Sequence, residues 1–236
     1  MTHLLHIDAS ARPGLAGIDP HGSHTRRLTH EFVRRWQALR PDDPVRYRDV
    51  GAHPPAPVDA AWVEAEFTPA AARTPAMDAA IADSNALVEE LIEADLLVLG
   101  VPLYNFSMPS SFKAWIDSIV RLGRTCDFRP ENPPLERYVP LLVEKPRSVV
   151  LLSSRGGHGL DPGGPFAHMN HLEASVRTAF HFIGITDIHT LAIEHQEDGG
   201  DLLDASVRQT LASTLALADT LAAQQPPGRS PAAKAG

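Results

Sequence analysis

Ser23, His24 and Thr25 open the helix-period segment HTRRLTHEFVRRWQAL (24–39). Hydroxyls and free backbone N–H groups at a helix amino terminus form an anion site, and the macrodipole adds to the attraction. The same hydroxyls are also ordinary helix caps, the commoner role of such residues. Ser10, just past the apolar run LLHID (4–8), admits both readings. Further on, PLYNFSMPSSFKAWID (102–117) sets Leu103, Tyr104, Asn105 and Phe106 between Pro102 and Pro109, so the backbone is stiffened at both ends. These side chains can present an apolar wall and amide contacts to a flat ring, or they can plug a core. A third stretch, SSRGGHG (153–159), places Ser154, Arg155, Gly156 and Gly157 at the end of another apolar run. Glycines there let a ligand edge approach the main chain where a β-carbon would block it.

Other motifs are lacking. Starting at Gly157 and Gly159, the third position of GxGxxG holds Pro162, and the chain has no GxSxG, P-loop or CxxC. His168 and His171 lie three apart without an evident third ligand, so no metal is expected. A phosphate end, an aromatic wall and a Gly-rich edge match the parts of flavin mononucleotide (FMN). Such a cofactor carries its own chemistry, so no catalytic side chain is expected from the protein.

These loops must be positioned by strands and helices, and the hydrophobic pattern supplies both. Strand-like runs at 4–8, 45–50, 95–101, 147–154 and 186–194 alternate with helix-period segments at 24–39, 77–94, 110–123, around 171–185 and at 202–223. Alternation of this kind predicts an α/β flavodoxin-like fold, a five-stranded parallel sheet of order 2-1-3-4-5 with helices on both faces. Ligands of such sheets sit beyond the carboxyl ends of strands 1, 3 and 4, where the strand order reverses. The Pro/Ala-rich segment 52–75 reads as a loop with short helical pieces, and Lys113, Asp117 and Arg121 read as a solvated face at i, i+4 spacing. Residues 1–224 are expected to form one FMN-binding domain, and 225–236 a disordered tail. On the helix before the fifth strand, Phe182 projects opposite the core residue Phe180, which suggests an interface.

Bulk composition narrows the partners. Lys plus Arg number 21 against 29 Asp plus Glu, a net charge of −8 that argues against nucleic acid. Cys126 is the single cysteine, which excludes a disulfide framework and fits a reducing cytoplasm. No uninterrupted apolar run reaches the roughly 18 residues of a membrane span, and the amino terminus lacks the basic region of a signal peptide. A soluble cytoplasmic protein is expected.

The stretches PLYNFSMPSSFKAWID, SSRGG and FIGITDI, in this order and spacing, resemble the FMN-dependent NADH-azoreductase and NAD(P)H quinone-reductase family of flavodoxin-like homodimers. The similarity covers most of residues 2 to about 200 and is weak in 11–22, 52–75 and 129–146. It implies that Ser10, Ser23, His24 and Thr25 hold the FMN phosphate and ribityl chain. Pro102 and Leu103 through Phe106 would bind along the isoalloxazine, and Ser154, Arg155, Gly156 and Gly157 would meet its polar edge. Phe128 and Phe182 would bound the substrate pocket. The implied activity is a ping-pong cycle in which NADH or NADPH reduces FMN and is replaced by a planar acceptor, a quinone or an azo compound. Two electrons reduce a quinone, and cleavage of an azo bond takes two cycles. A one-electron carrier and a non-catalytic binding module on the same fold are the alternatives.

Overall fold

The computed structural model describes residues 1–225. Five strands, β1 (Leu4–Asp8), β2 (Val45–Asp49), β3 (Leu96–Gly100), β6 (Ser148–Ser154) and β7 (Asp187–Ile193), form one sheet of order β2-β1-β3-β6-β7, parallel throughout. The strand order read from the sequence is the order observed. β4 (Cys126–Phe128) and β5 (Tyr138–Pro140) form a separate antiparallel pair. Strands of three residues are too short to leave a periodic signal.

Among the described residues seven α-helices accompany the strands: α1 (His24–Leu39), α2 (Ala60–Phe67), α3 (Pro75–Ala80), α4 (Ala82–Glu93), α5 (Ser110–Ile119), α6 (Leu172–Ile183) and α7 (Gly200–Gln224). Alternating strand residues serve opposite faces of the sheet. Leu4, Leu96, Val98, Val150 and Leu152 pack with Leu28, Phe32 and Trp36 of α1 and Ala218 and Leu221 of α7. Their neighbours Leu5, Ile7, Leu97, Leu99, Val149 and Leu151 pack with α4, α5 and α6 through Leu91, Trp115, Ile116, Val176 and Phe180. Both faces are thereby covered, which is why β1 and β3 are buried along their whole length.

Two expectations need correction. The helix read over 77–94 is two, broken at buried Ile81, whose φ of −107° and ψ of 5° leave the helical region. Arg121 is not on a solvated face. α5 stops at Ile119, so the i, i+4 spacing no longer applies, and the guanidinium turns inward with a side-chain exposure of 2%. It donates to Glu66 Oε2 (2.5 Å) and to Ser84 Oγ (2.5 Å), and it lies 5.3 Å from the Trp62 ring. This contact ties α2, one of the short helical pieces expected in 52–75, to the body of the fold. Lys113 and Asp117 do form an exposed pair.

Gln225 caps α7 and accepts a hydrogen bond from Thr2 Oγ1. The rest of the expected tail, 226–236, lies outside the described residues.

Candidate functional site

Loops at the carboxyl ends of β1, β3, β6 and β7 enclose a continuous depression with two parts. The narrow part is a pocket of about 70 Å³, lined by Ser10, Arg12, Gly22, Ser23, His24, Pro102, Leu103, Tyr104, Ser154, Gly156 and Gln196. The wide part, a cleft of about 480 Å³, shares Leu103 and Gly156 with it and adds Asn105, Phe106, Gly157, His158, Phe166, Met169 and Asp198.

The narrow pocket is built at the start of α1. Ser23 caps the helix, its Oγ accepting from Arg26 N–H and lying 3.0 Å from Thr25 Oγ1. The capping reading of Ser23 therefore holds, and its place on the pocket wall leaves the anion reading standing beside it. Thr25 is fully buried and lines neither cavity, so its hydroxyl supports Ser23 from below. His24 Nδ1 is buried in this pocket without a partner. Burial first, then the charges of Arg27 and Arg12, lower the pKa of His24 below its ordinary value, which favours the neutral ring.

The preceding loop folds back on itself. Leu15 bridges to Ser23, and a β-carbon on Gly22 would fall 2.3 Å from the Leu15 carbonyl carbon, so only glycine permits the approach. Arg26 fastens the other end. It donates to the carbonyls of Ser10 and Arg12 (2.8 Å each) and grips both oxygens of Asp49 at 2.7 Å. Burial works to raise the Asp49 pKa, yet the Arg26 bonds and the Ala52 N–H outweigh it and hold the carboxyl below its usual range.

The β3 loop is a tight turn. Tyr104 and Ser107 exchange main-chain hydrogen bonds (2.9 and 3.0 Å), and Asn105 and Phe106 between them have φ of 45° and 70°. Positive φ at both central residues is the pattern of a type I′ turn, which asparagine tolerates and phenylalanine does not. The strained residue presents a ring that is half exposed in the wide cleft. Strain held at a ligand-facing position is characteristic of binding sites. Leu103 N–H donates to Ser154 O, and Ala11 N–H donates to the Tyr104 hydroxyl, so the three loops are stitched together.

The β6 loop contributes Ser154, Gly156 and Gly157 to the walls. A β-carbon on Gly157 would meet nothing within 4 Å, so its open side faces the cleft. The Arg155 side chain lines neither part. Its guanidinium, 2% exposed, is turned under the loop against Asp161 (2.7 Å), Glu173 (2.5 Å) and Glu194 (3.0 Å). Three carboxylates on that side outcompete any contact in the cleft, and Arg155 acts as an anchor.

Phe128 and Phe182 lie off the cleft. With Tyr138 they form an exposed row, ring centroids 5.2 Å and 5.3 Å apart. Phe180 is fully buried and Phe182 is not, as the helical spacing predicts. Cys126, the first residue of β4, is buried and lines neither cavity, and burial foremost pushes its thiol up to about 11.

The sequence reading missed Arg12, His158, Phe166, Met169 and the whole β7 loop with Gln196, Glu197 and Asp198. Arg12 sits in the long first loop, where one cation among glycines gives no pattern. The β7 loop, HQED, could have been found from topology, since it follows the strand next to β6.

Residues 2–217 match a family described as having a flavodoxin-like fold. FMN-dependent NAD(P)H:quinone oxidoreductase 1 of Pseudomonas aeruginosa is 42% identical over 219 residues, covering 92% of this chain and 99% of its own. FMN-dependent NADH:quinone oxidoreductase of Nostoc punctiforme is 38% identical over 222 residues, covering 94% and 99%. An azoreductase structure from Bacillus anthracis superposes with a TM-score of 0.80 at 24% identity, covering 93% of this chain and 100% of that one, a likeness of fold.

Proposed function

The chain belongs to the flavodoxin-like family of FMN-dependent NAD(P)H:quinone oxidoreductases, and we propose that it uses the cleft at the carboxyl ends of β1, β3, β6 and β7 to reduce quinones, and azo compounds with cleavage of the azo bond. The observation that carries this reading is the joining of a small polar pocket at a helix amino terminus to a wide cleft walled by Phe106 and glycine backbone.

The residues present fit FMN. The unpartnered His24 Nδ1 and the start of α1 suit a phosphate, Phe106 suits a ring face, and the open side of Gly157 suits a ring edge. In this reading Ser10, Ser23 and His24 bind the phosphate and ribityl chain, with Thr25 supporting Ser23. Pro102 through Phe106 hold the isoalloxazine, and Ser154, Gly156 and Gly157 lie along its polar edge, where main-chain N–H groups stabilise negative charge. FMN supplies the two-electron hydride chemistry when bound. The protein binds, orients and keeps water from that chemistry.

A ping-pong order is the reading that the space of the cleft favours. The nicotinamide and the acceptor each need the same flat surface, and one cleft of about 480 Å³ admits them in turn. A quinone takes one turnover. An azo bond takes two, because four electrons and four protons convert it to two amines.

Residues 1–224 act as one FMN-binding domain. Two copies pair through surfaces that include the Phe128, Tyr138 and Phe182 row, bringing aromatic side chains toward the partner's cleft. No helix among the described residues is long and apolar enough to cross a membrane, which accords with a cytoplasmic enzyme.

The test is a visible spectrum of the purified protein, with FMN added if the preparation is colourless, followed by NADH oxidation with menadione at several concentrations of each. Bound flavin absorbance and parallel double-reciprocal lines are expected. Failure to bind FMN would overturn the reading, and intersecting lines would overturn the ping-pong order.

A further inference from the structure

The β6 and β7 loops bring together three metal-ligating groups that the flavin reading does not use. We propose that His158, His195 and Asp198 form a site for one divalent transition-metal ion of the zinc class on the wall of the wide cleft, an inference that goes beyond the function proposed above and does not depend on it.

The geometry is close to that of a bound ion. Asp198 Oδ2 lies 2.6 Å from His195 Nδ1 and 3.6 Å from His158 Nδ1. Zinc bonds of about 2.0–2.1 Å in a tetrahedral site put neighbouring ligand atoms about 3.3 Å apart, so the His195–Asp198 contact of 2.6 Å would open by about 0.7 Å and the His158–Asp198 contact of 3.6 Å would close by about 0.3 Å. One ligand atom from each of the three residues lies within 4.8 Å of the others. The two imidazoles are stacked, with centroids 4.5 Å apart and planes 17° from parallel, and each has its Nδ1 within 3.6 Å of the same carboxylate oxygen.

The two loops are held in place before any ion arrives. His195 N–H donates to Gly157 O (3.2 Å), Glu197 N–H to Gly156 O (2.9 Å) and Gly199 N–H to His195 O (3.0 Å). His195 itself is held at a φ of 66°. Little ordering remains for a ligand to impose. Two imidazoles and one carboxylate suit zinc, copper or nickel better than magnesium or calcium. Three protein ligands leave a fourth position, and because His158 and Asp198 line the cleft, that position opens onto it. In the ion-free chain the 2.6 Å contact between His195 Nδ1 and Asp198 Oδ2 occupies this place, and an ion would take it over. His168 and His171, the pair conspicuous by spacing, do not take part.

The experiment is a Zn²⁺ titration of the tag-free, chelator-stripped full chain in competition with a fluorescent indicator, run without and with FMN. Replacing Zn²⁺ by Co²⁺ reports coordination through its visible bands. One ion per chain is expected, with affinity at least tenfold lower in H158A, H195A and D198N and unchanged in the control H53A. Circular dichroism verifies that each variant is folded. Absence of saturable binding, meaning that Asp198 merely bridges two stacked rings, would overturn the proposal. So would wild-type affinity in H195A or D198N. A chain that binds zinc as described but no FMN would retain this site and lose the reading above.

Discussion

Phe106 is asked to do two opposed things, and two substitutions at this one position separate them. With a φ of 70°, a β-carbon here costs roughly 1–2 kcal/mol, a cost that Phe106→Ala retains and Phe106→Gly removes. Both variants lose the ring. An aromatic side chain offers about 200 Å², and the 50% that is exposed comes to about 100 Å². Covering that area with a flavin stabilises the complex by at most about 2.5 kcal/mol at about 25 cal/mol/Å², and less where the overlap is partial. FMN affinity should therefore fall by about 10- to 70-fold in both variants. Stability of the flavin-free protein should be about 1 kcal/mol higher in Phe106→Gly than in Phe106→Ala, a Tm difference of about 2–4 °C. Fluorescence titration with FMN and thermal melts of the apo forms read the two quantities. Equal melting of the two variants would show that the turn carries no strain. An unchanged Kd would remove Phe106 from the ring wall.

Three other substitutions probe the site's supports. Arg155→Met takes the buried partner from the partly buried Glu173 and Glu194 and should cost about 3 kcal/mol, seen as a fall in Tm of roughly 6–12 °C; a neutral effect would mean the anchor is dispensable. Gly157→Ala places a methyl group in open space, so melting should be unchanged while FMN binding weakens, and equal binding would put the ring elsewhere. His24 has its pKa lowered from 6.5, so the unfolded chain binds more protons than the folded one. Its contribution to stability is present above about pH 6.5 and is lost as the pH falls below that. Melts of the apo protein between pH 8 and 5.5 should decline less steeply in His24→Gln, and parallel curves would contradict the assignment.

Much of the fold was legible because the parallel strands are buried on both faces and read as continuous apolar runs, as in LLHID and RSVVLLSS. Strand order then pointed to three of the four loops that form the depression. What escaped was local chemistry decided by tertiary contacts. Arg121 sits on an amphipathic pattern that outlasts the helix carrying it, and only the partner Glu66, 55 positions away, reveals its burial. Arg155 and Thr25 lie in the right loops, but which way a side chain turns depends on the carboxylates and hydroxyls beneath. The asparagine of Tyr104-Asn105-Phe106-Ser107 hints at a turn, whereas a phenylalanine at positive φ contradicts local preference and is found only in the folded chain.

The clasp made by Arg26 has a kinetic meaning. It hooks the carbonyls of Ser10 and Arg12 to the carboxylate of Asp49, and Asp49 ends β2, the strand at the rim of the sheet and only partly buried. Rim strands fray first. Each opening of β2 releases the clasp and with it the backbone beside the narrow pocket. The residence time of an occupant there is expected to follow hydrogen exchange at the sheet's edge.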